Sequence, residues 1–215
     1  MSEMSDFWRE LSNRYAKEDW AKVPSIFATQ VYDYIPDDCE MLELGCGQGQ
    51  DGLWFAAGKK RIGVLATDVE QAALENAKKR RHELNVESIE FEQLDLAQPF
   101  RYENDTFDVV YSHLALHYFD TKTTEQIFSE IYRVLKPDGI LAFLVNSVND
   151  PEYNTGTKIE DDYFETEGTK KRYFSIKTAK EFAKNFDMIL CDEQGETYKD
   201  NAKGVHNLVR FVGVK

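Results

Sequence analysis

Residues 40–52 read EMLELGCGQGQDG, an apolar run that gives way to glycine at every second position, Gly45, Gly47 and Gly49. Glycine weakens regular structure, so a run of them directly after a strand marks backbone that turns through positive φ or approaches something closely. The rest of the chain carries the alternation that such a junction belongs to. EMLEL predicts a short buried strand, and GQDGLWFAAG a helix closing at Gly58. RIGVLATD predicts the next strand, and EQAALENAKKRRHELN a helix apolar on one face. SIEFEQLD and FDVVYS supply two more strands, TKTTEQIFSEIYRVL a helix stopped by KPDG, and GILAFLVN a fifth strand. Strands separated by helices of this length imply an α/β fold, a doubly wound parallel sheet with helices on both faces and right-handed crossovers.

Both ends of the chain depart from that rhythm. Residues 5–18 and 20–35 predict two N-terminal helices, the second capped by Asp19 with Pro24 tolerable in its first turn. At the other end, DMILCDEQGETYK and GVHNLVRFVGVK are strand-like runs joined by a polar turn, as an antiparallel pair at a sheet edge would be. Between core and tail, residues 148–175 are polar, charged and punctuated by Tyr and Phe, long for a structureless loop. One domain is expected: an N-terminal helical segment (1–36), a core (37–147), an insertion (148–175), and a C-terminal helix with antiparallel strands (176–215).

The charge balance narrows the partners. With 39 Asp and Glu against 26 Lys and Arg, the chain carries a formal charge of −13 and would repel phosphate backbones. Its basic cluster, KKRRHE at 78–83, reads as the solvated face of a helix, so nucleic acid is not the expected partner. No apolar stretch is long enough to span a membrane, and the opening MSEMSDFWRELSNR is too polar for a secretory leader. Cys39, Cys46 and Cys191 are too few for a disulfide framework, so a reducing cytoplasm is expected. The sequence gives no indication of oligomeric state.

In a doubly wound fold the loop after the first strand binds the part of a ligand that hugs the backbone. A dinucleotide fingerprint spaces its glycines G-x-G-x-x-G, and its third position would here be Gln50. The actual spacing is G-x-G-x-G, preceded by Glu43. A carboxylate there repels pyrophosphate and suits a ligand carrying an ammonium or a sulfonium.

With LELGCGQGQ, VLATDVE, FEQLDLAQPF, FDVVYSHLALHYF and RVLKPDGIL following in order, the chain resembles the class I S-adenosylmethionine-dependent methyltransferases over residues 38–146. The resemblance implies a Rossmann-like, mostly parallel seven-stranded sheet with an antiparallel C-terminal edge. It implies S-adenosylmethionine as cofactor and S-adenosylhomocysteine as product. On that resemblance Gly45, Cys46 and Gly47 admit the amino-acid end of the cofactor and Glu43 supports the loop. Asp68 takes the ribose hydroxyls and Val69 packs on adenine. Asp95 and Leu96 hold the adenine edge, and Ser112 and His113 line the methionyl part. Cys46 in this loop reads as a small residue fitting a tight turn, with no second Cys or base at motif spacing.

Methyl transfer needs an in-line nucleophile and exclusion of water more than a strong catalytic group. SHLA stands where methylases of exocyclic amines carry an Asn/Asp-Pro-Pro-Tyr/Phe tetrad, which argues against amino methylation of DNA. On one helix face His113 and His117 could share a metal, yet no Glu follows His113 and no carboxylate cluster is near. His117 is instead the expected wall or general base of the acceptor pocket, with Tyr118 beside it. Trp8, Tyr15 and Trp20 are candidates to fold over the sulfonium. Tyr153, Tyr163, Phe164, Tyr173 and Phe174 are candidates for an apolar ceiling over the acceptor. Within the family the chain looks most like the tellurite-resistance and ubiquinone-biosynthesis types, so a small-molecule acceptor is expected. A protein methyltransferase and a non-catalytic S-adenosylmethionine-binding module are the alternatives.

Overall fold

The computed structural model describes residues 19–199 and 203–215. Five strands alternate with helices as expected: β1 Glu40–Leu44, β2 Gly63–Asp68, β3 Ile89–Gln93, β4 Phe107–His113 and β5 Leu135–Val145. The long tail strands are β9 Asp187–Lys199 and β10 Lys203–Val214. These seven form one sheet in the order β3-β2-β1-β4-β5-β10-β9, with β1 to β5 mutually parallel. β10 runs antiparallel to β5 and β9, so the reversed strand lies one in from the edge. Strand order changes direction between β1 and β4, and the crevice at their carboxyl ends is where this architecture places ligands.

The central strands β1, β4 and β5 are largely buried because both faces of the sheet are covered. Met41, Val109, Tyr111, Leu144 and Leu208 join one core cluster with the helices α1 Ile26–Val31, α2 Gln50–Ala57 and α3 Gln71–Leu84. Leu42, Leu44, Val110, Phe143 and Val145 join the other with α4 Thr121–Val134 and α5 Ile176–Phe182. Neighbours along a strand thus alternate between the two clusters, as a period of two requires. α4 buries Ile127, Phe128, Ile131 and Val134 on one stripe, each contributing about 1.5–3 kcal/mol.

Local chemistry sets the helix ends. Gly58 terminates α2 and left-handed Asn85 terminates α3. Asp120 caps α4 by accepting from the Thr123 N–H, and Ser175 and Thr178 form a capping box at α5.

The N-terminal segment differs from expectation. Instead of one helix over 20–35 there is a 3₁₀ turn at Asp19–Lys22, α1, and a second 3₁₀ turn at Tyr32–Tyr34. Ser25, not Asp19, caps α1, its hydroxyl accepting from the Ala28 N–H at 3.0 Å while its own N–H and hydroxyl donate to Asp51 at 2.7 Å. The expected helix over 5–18 lies outside the described residues. KPDG likewise falls within β5 as assigned: left-handed Asp138 turns the chain, and the register against β4 shifts between Phe107 and Val109.

The insertion has structure of its own. β6 Thr157–Glu160, β7 Tyr163–Thr166 and β8 Thr169–Arg172 form a small antiparallel sheet. Arg172, 5% exposed, fastens it to the core. Its backbone N–H donates to the His117 carbonyl at 2.7 Å, and its guanidinium to Phe119 O, Thr121 Oγ1 and Glu160 Oε2. Tyr163 adds a hydroxyl bond to the Tyr118 carbonyl at 3.2 Å. The insertion therefore packs on the turn after β4.

Candidate functional site

The glycine loop leaves β1 through three residues in the left-handed region, Gly45 (φ +72°), Gly47 (φ +53°) and Gly49 (φ +72°). At Gly45 a Cβ would overlap that of Ala115, in the turn after β4. At Gly47 a Cβ would meet nothing within 4 Å among the described residues, so none of them covers this glycine. Its N–H donates to Asp68 Oδ2 at 2.8 Å, while Glu70 N–H binds Asp68 Oδ1 at 2.9 Å. Asp68 thereby closes the glycine loop onto the end of β2.

Two further carboxylates lie beneath that loop. Glu43 is 3% exposed, with its Oε2 unpartnered among the described residues and the Gly52 N–H donating to its carboxyl. Burial, then the charges of Asp51 and Asp68, push its pKa well above the ordinary carboxylate range. Asp51, also 3% exposed, accepts from the Ser25 N–H, the Ser25 hydroxyl and the Tyr111 hydroxyl, the last at 2.6 Å. Burial raises Asp68 as well, opposed by its two backbone donors. Of these three carboxyls, Asp68 is the one bonded to the Gly47 N–H. Cys46 is buried and its thiol pushed far up by desolvation, which leaves it unreactive.

The neighbouring strand ends extend the site. Val69 is 47% exposed beyond β2, an apolar side chain with no cover at the carboxyl end. Asp95 after β3 is exposed and binds the Ala97 N–H through one oxygen at 2.9 Å, while Leu96 beside it is buried. Ser112 is fully buried, its hydroxyl tied to the Leu44 carbonyl at 3.0 Å. His113 ends β4 with Nε2 3.2 Å from the Thr197 hydroxyl, and burial lowers its pKa. Arg80 departs from the expected solvated face: half-buried, it donates to the Gln48 carbonyl at 3.1 Å and braces the glycine loop.

His113 and His117 do not share a helix face. His113 is the last residue of a strand, Leu114 turns at φ +58°, and His117 lies in the following turn. The described residues hold no group of three or more metal-ligating side chains. His117 is 2% exposed, its ring 4.3 Å from that of Tyr118, and its Nδ1 has no partner among the described residues. Burial first, then the nearby Lys171 charge, lowers its pKa to about 3. Tyr153 gives its hydroxyl to Asp162 at 2.8 Å and packs edge-on against Phe164 and Tyr173 inside the insertion. Trp8 and Tyr15 lie outside the described residues.

A depressed folded pKa makes His117 a pH-dependent contributor to stability. The unfolded chain takes up its proton near 6.5 and the folded chain only near 3, so the contribution is present above 6.5 and falls away below it. The loss is at most about 1.4 kcal/mol per pH unit. Thermal unfolding from pH 7 to 4.5 is expected to show a smaller fall in Tm for His117→Asn than for the parent. Parallel curves would contradict the buried neutral imidazole.

Ser25, Asp51 and Tyr111 are the polar residues that sequence reasoning missed. Asp51 and Tyr111 are 60 positions apart, and Ser25 lies 26 before Asp51. Asp51 did carry one local signal, an acid in the first turn of the helix behind the glycines.

Residues 41–139 match the methyltransferase-domain family. Phosphoethanolamine N-methyltransferase 2 of Caenorhabditis elegans is 29% identical over 180 residues, 76% of this chain and 38% of that protein. The mitochondrial arginine-hydroxylase NDUFAF5 of Mus musculus is 32% identical over 127 residues, 59% of this chain and 33% of that protein. The chain thus spans well under two thirds of both. The crystal structure of an S-adenosylmethionine-dependent methyltransferase from Methanosarcina mazei has the same fold. It superposes with a TM-score of 0.73 over 86% of this chain and 96% of that one, at 21% identity.

Proposed function

We propose, from the match of residues 41–139 to the methyltransferase-domain family, that the chain is a class I S-adenosylmethionine-dependent methyltransferase and that it methylates a small-molecule acceptor. The observation that carries the reading is the glycine loop at the end of β1, uncovered at Gly47 by any described residue and held to β2 by Asp68. The residues present fit the cofactor: Asp68 offers lone pairs beyond its two backbone bonds, and exposed Val69 and Asp95 flank space for a flat ring. Bound there, S-adenosylmethionine supplies an electrophilic methyl group on a sulfonium.

The chain's own residues then have three tasks. Asp68 holds the glycine loop to the end of β2 and offers its remaining lone pairs to the ligand. The turn after β4, held by Arg172 from the insertion, presents His117 toward the acceptor side. Neutral and with Nδ1 unpartnered, His117 would accept a hydrogen bond from an acceptor O–H or N–H and align it. A proton is poorly held at so depressed a pKa, so alignment is its stronger role. Free Cys39, Cys46 and Cys191 support a reducing compartment such as the cytoplasm.

A protein acceptor is the second reading, favoured by the net charge of −13, which suits a basic peptide, and by the arginine named for the mouse relative. Release of S-adenosylhomocysteine, measured with small phenols, thiols and amines including phosphoethanolamine, and separately with Arg- and Lys-rich peptides, distinguishes them. Turnover on a small acceptor and none on the peptides is expected. Turnover confined to peptides would overturn the small-molecule reading, and cofactor binding with no turnover at all would favour a binding module.

A further inference from the structure

The β9–β10 hairpin is longer than the sheet needs. β5 ends at Val145, opposite Val209, yet β10 goes on pairing with β9 from Leu208 back to Lys203. Because β10 runs antiparallel to β5, this surplus overhangs the carboxyl ends of the parallel strands, where the glycine loop lies.

The arm is built to bend there. Its register shifts between Val205 and Leu208, and Asn207 adopts φ +63°. A Cβ at Gly195 would overlap Leu144 Cδ1 and come within 2.7 Å of the Leu208 carbonyl, so the two strands cross the end of β5 in close contact. Leu208 belongs to the same core cluster as Cys46 and Tyr111, and β9 packs against α1. Beyond that crossing, Thr197 is 8% exposed and its hydroxyl lies 3.2 Å from His113 Nε2. The two residues are 84 positions apart, one at the end of β4 and the other on β9.

We propose that the β9–β10 arm is a wall of the methyl-donor site and that Thr197 is the positioning residue that fixes the His113 ring. The inference rests on the reading that the carboxyl end holds the methyl donor. A hydroxyl both donates and accepts, so it can hold Nε2 in either tautomer, and what it fixes is the orientation of the ring. With Nε2 committed to Thr197, the ring cannot turn freely and Nδ1 keeps one direction beside the end of β4. Neither the glycine loop nor the turn after β4 supplies this contact; it reaches the site from the far end of the chain.

Two readouts on Thr197→Val and Thr197→Ser test it. Long-range ¹H–¹⁵N spectra of the histidine side chains, with His113 assigned by its loss in His113→Gln, report the environment of its ring nitrogens and need no cofactor. Calorimetry with S-adenosylmethionine reports affinity. The parent is expected to show a His113 Nε2 signal shifted by its hydrogen bond. Thr197→Val should move that signal and bind about two- to tenfold more weakly, the range for one neutral hydrogen bond, and Thr197→Ser should restore both. An unchanged spectrum or an unchanged affinity in Thr197→Val would overturn the proposal. So would losses that Thr197→Ser does not recover, which would reduce the contact to packing. Absence of binding by the parent would instead contradict the methyl-donor reading, and the spectra would still decide whether Thr197 holds the ring.

Discussion

Gly45→Ala is expected to abolish measurable S-adenosylmethionine binding and to lower the unfolding free energy by about 2–5 kcal/mol. Two costs combine. An alanine at φ +72° takes on the left-handed penalty of roughly 1–2 kcal/mol. Its Cβ also overlaps that of Ala115, and relieving an overpacked contact costs about 1–3 kcal/mol. Relief has to come from moving either the glycine loop or the turn after β4, so the damage reaches both walls of the crevice. Gly47→Ala separates the two effects. With no described residue within 4 Å, it bears only the backbone cost, so its stability should fall by no more than about half as much. Its added methyl stands at the uncovered part of the loop, so its affinity should still suffer. Urea unfolding and calorimetry on the two variants check this, and a Gly45→Ala chain with parental affinity would contradict the placement of the loop.

Asp68→Ala is expected to weaken S-adenosylmethionine binding by about 10- to 150-fold, the equivalent of the roughly 1.5–3 kcal/mol carried by a hydrogen bond to a charged group. The carboxylate joins the glycine loop to the strand beside it, through Gly47 N–H on one oxygen and Glu70 N–H on the other. Removing it frees the loop and takes away the acceptor offered to the ligand. Asp68→Asn should not rescue. An amide supplies one acceptor, so its NH₂ would be turned against one of the two backbone donors. Calorimetric titration of both variants is the check, and affinity retained in Asp68→Ala would show that the ligand's hydroxyls are held elsewhere.

What the sequence made legible is what neighbours along the chain decide. The β1–loop–α2 junction, the α3 and α4 helices and the two tail strands follow from periodicity, glycine and caps within a few residues. The misses share a cause in distance along the chain. Ser25, which caps α1, donates its own N–H and hydroxyl to Asp51, 26 positions later. β6, β7 and β8 are four residues each and rich in charge, so no alternation announces them; the Arg172 contacts with the turn after β4 hold them in place. His113 and His117 share no helix face because Leu114 turns left-handed between them, and a leucine gives no warning of that. Arg80 looked like surface charge until its guanidinium met the Gln48 carbonyl. Sequence motifs mark Glu43 and Asp68; they do not mark Asp51, Tyr111 and Thr197, which tertiary contact places.

The central claim is that the carboxyl end of β1 and β2 holds a sulfonium nucleoside and not a dinucleotide. A thermal-shift titration with S-adenosylmethionine, S-adenosylhomocysteine and NAD tests it most directly, since a ligand bound to the folded chain alone raises its stability. At a hundredfold excess over Kd, about 2.7 kcal/mol should raise Tm by roughly 5–10 °C for a chain of this size. The account predicts that rise with both sulfur compounds and none with NAD. A rise with NAD, or none with either sulfur compound, would contradict it.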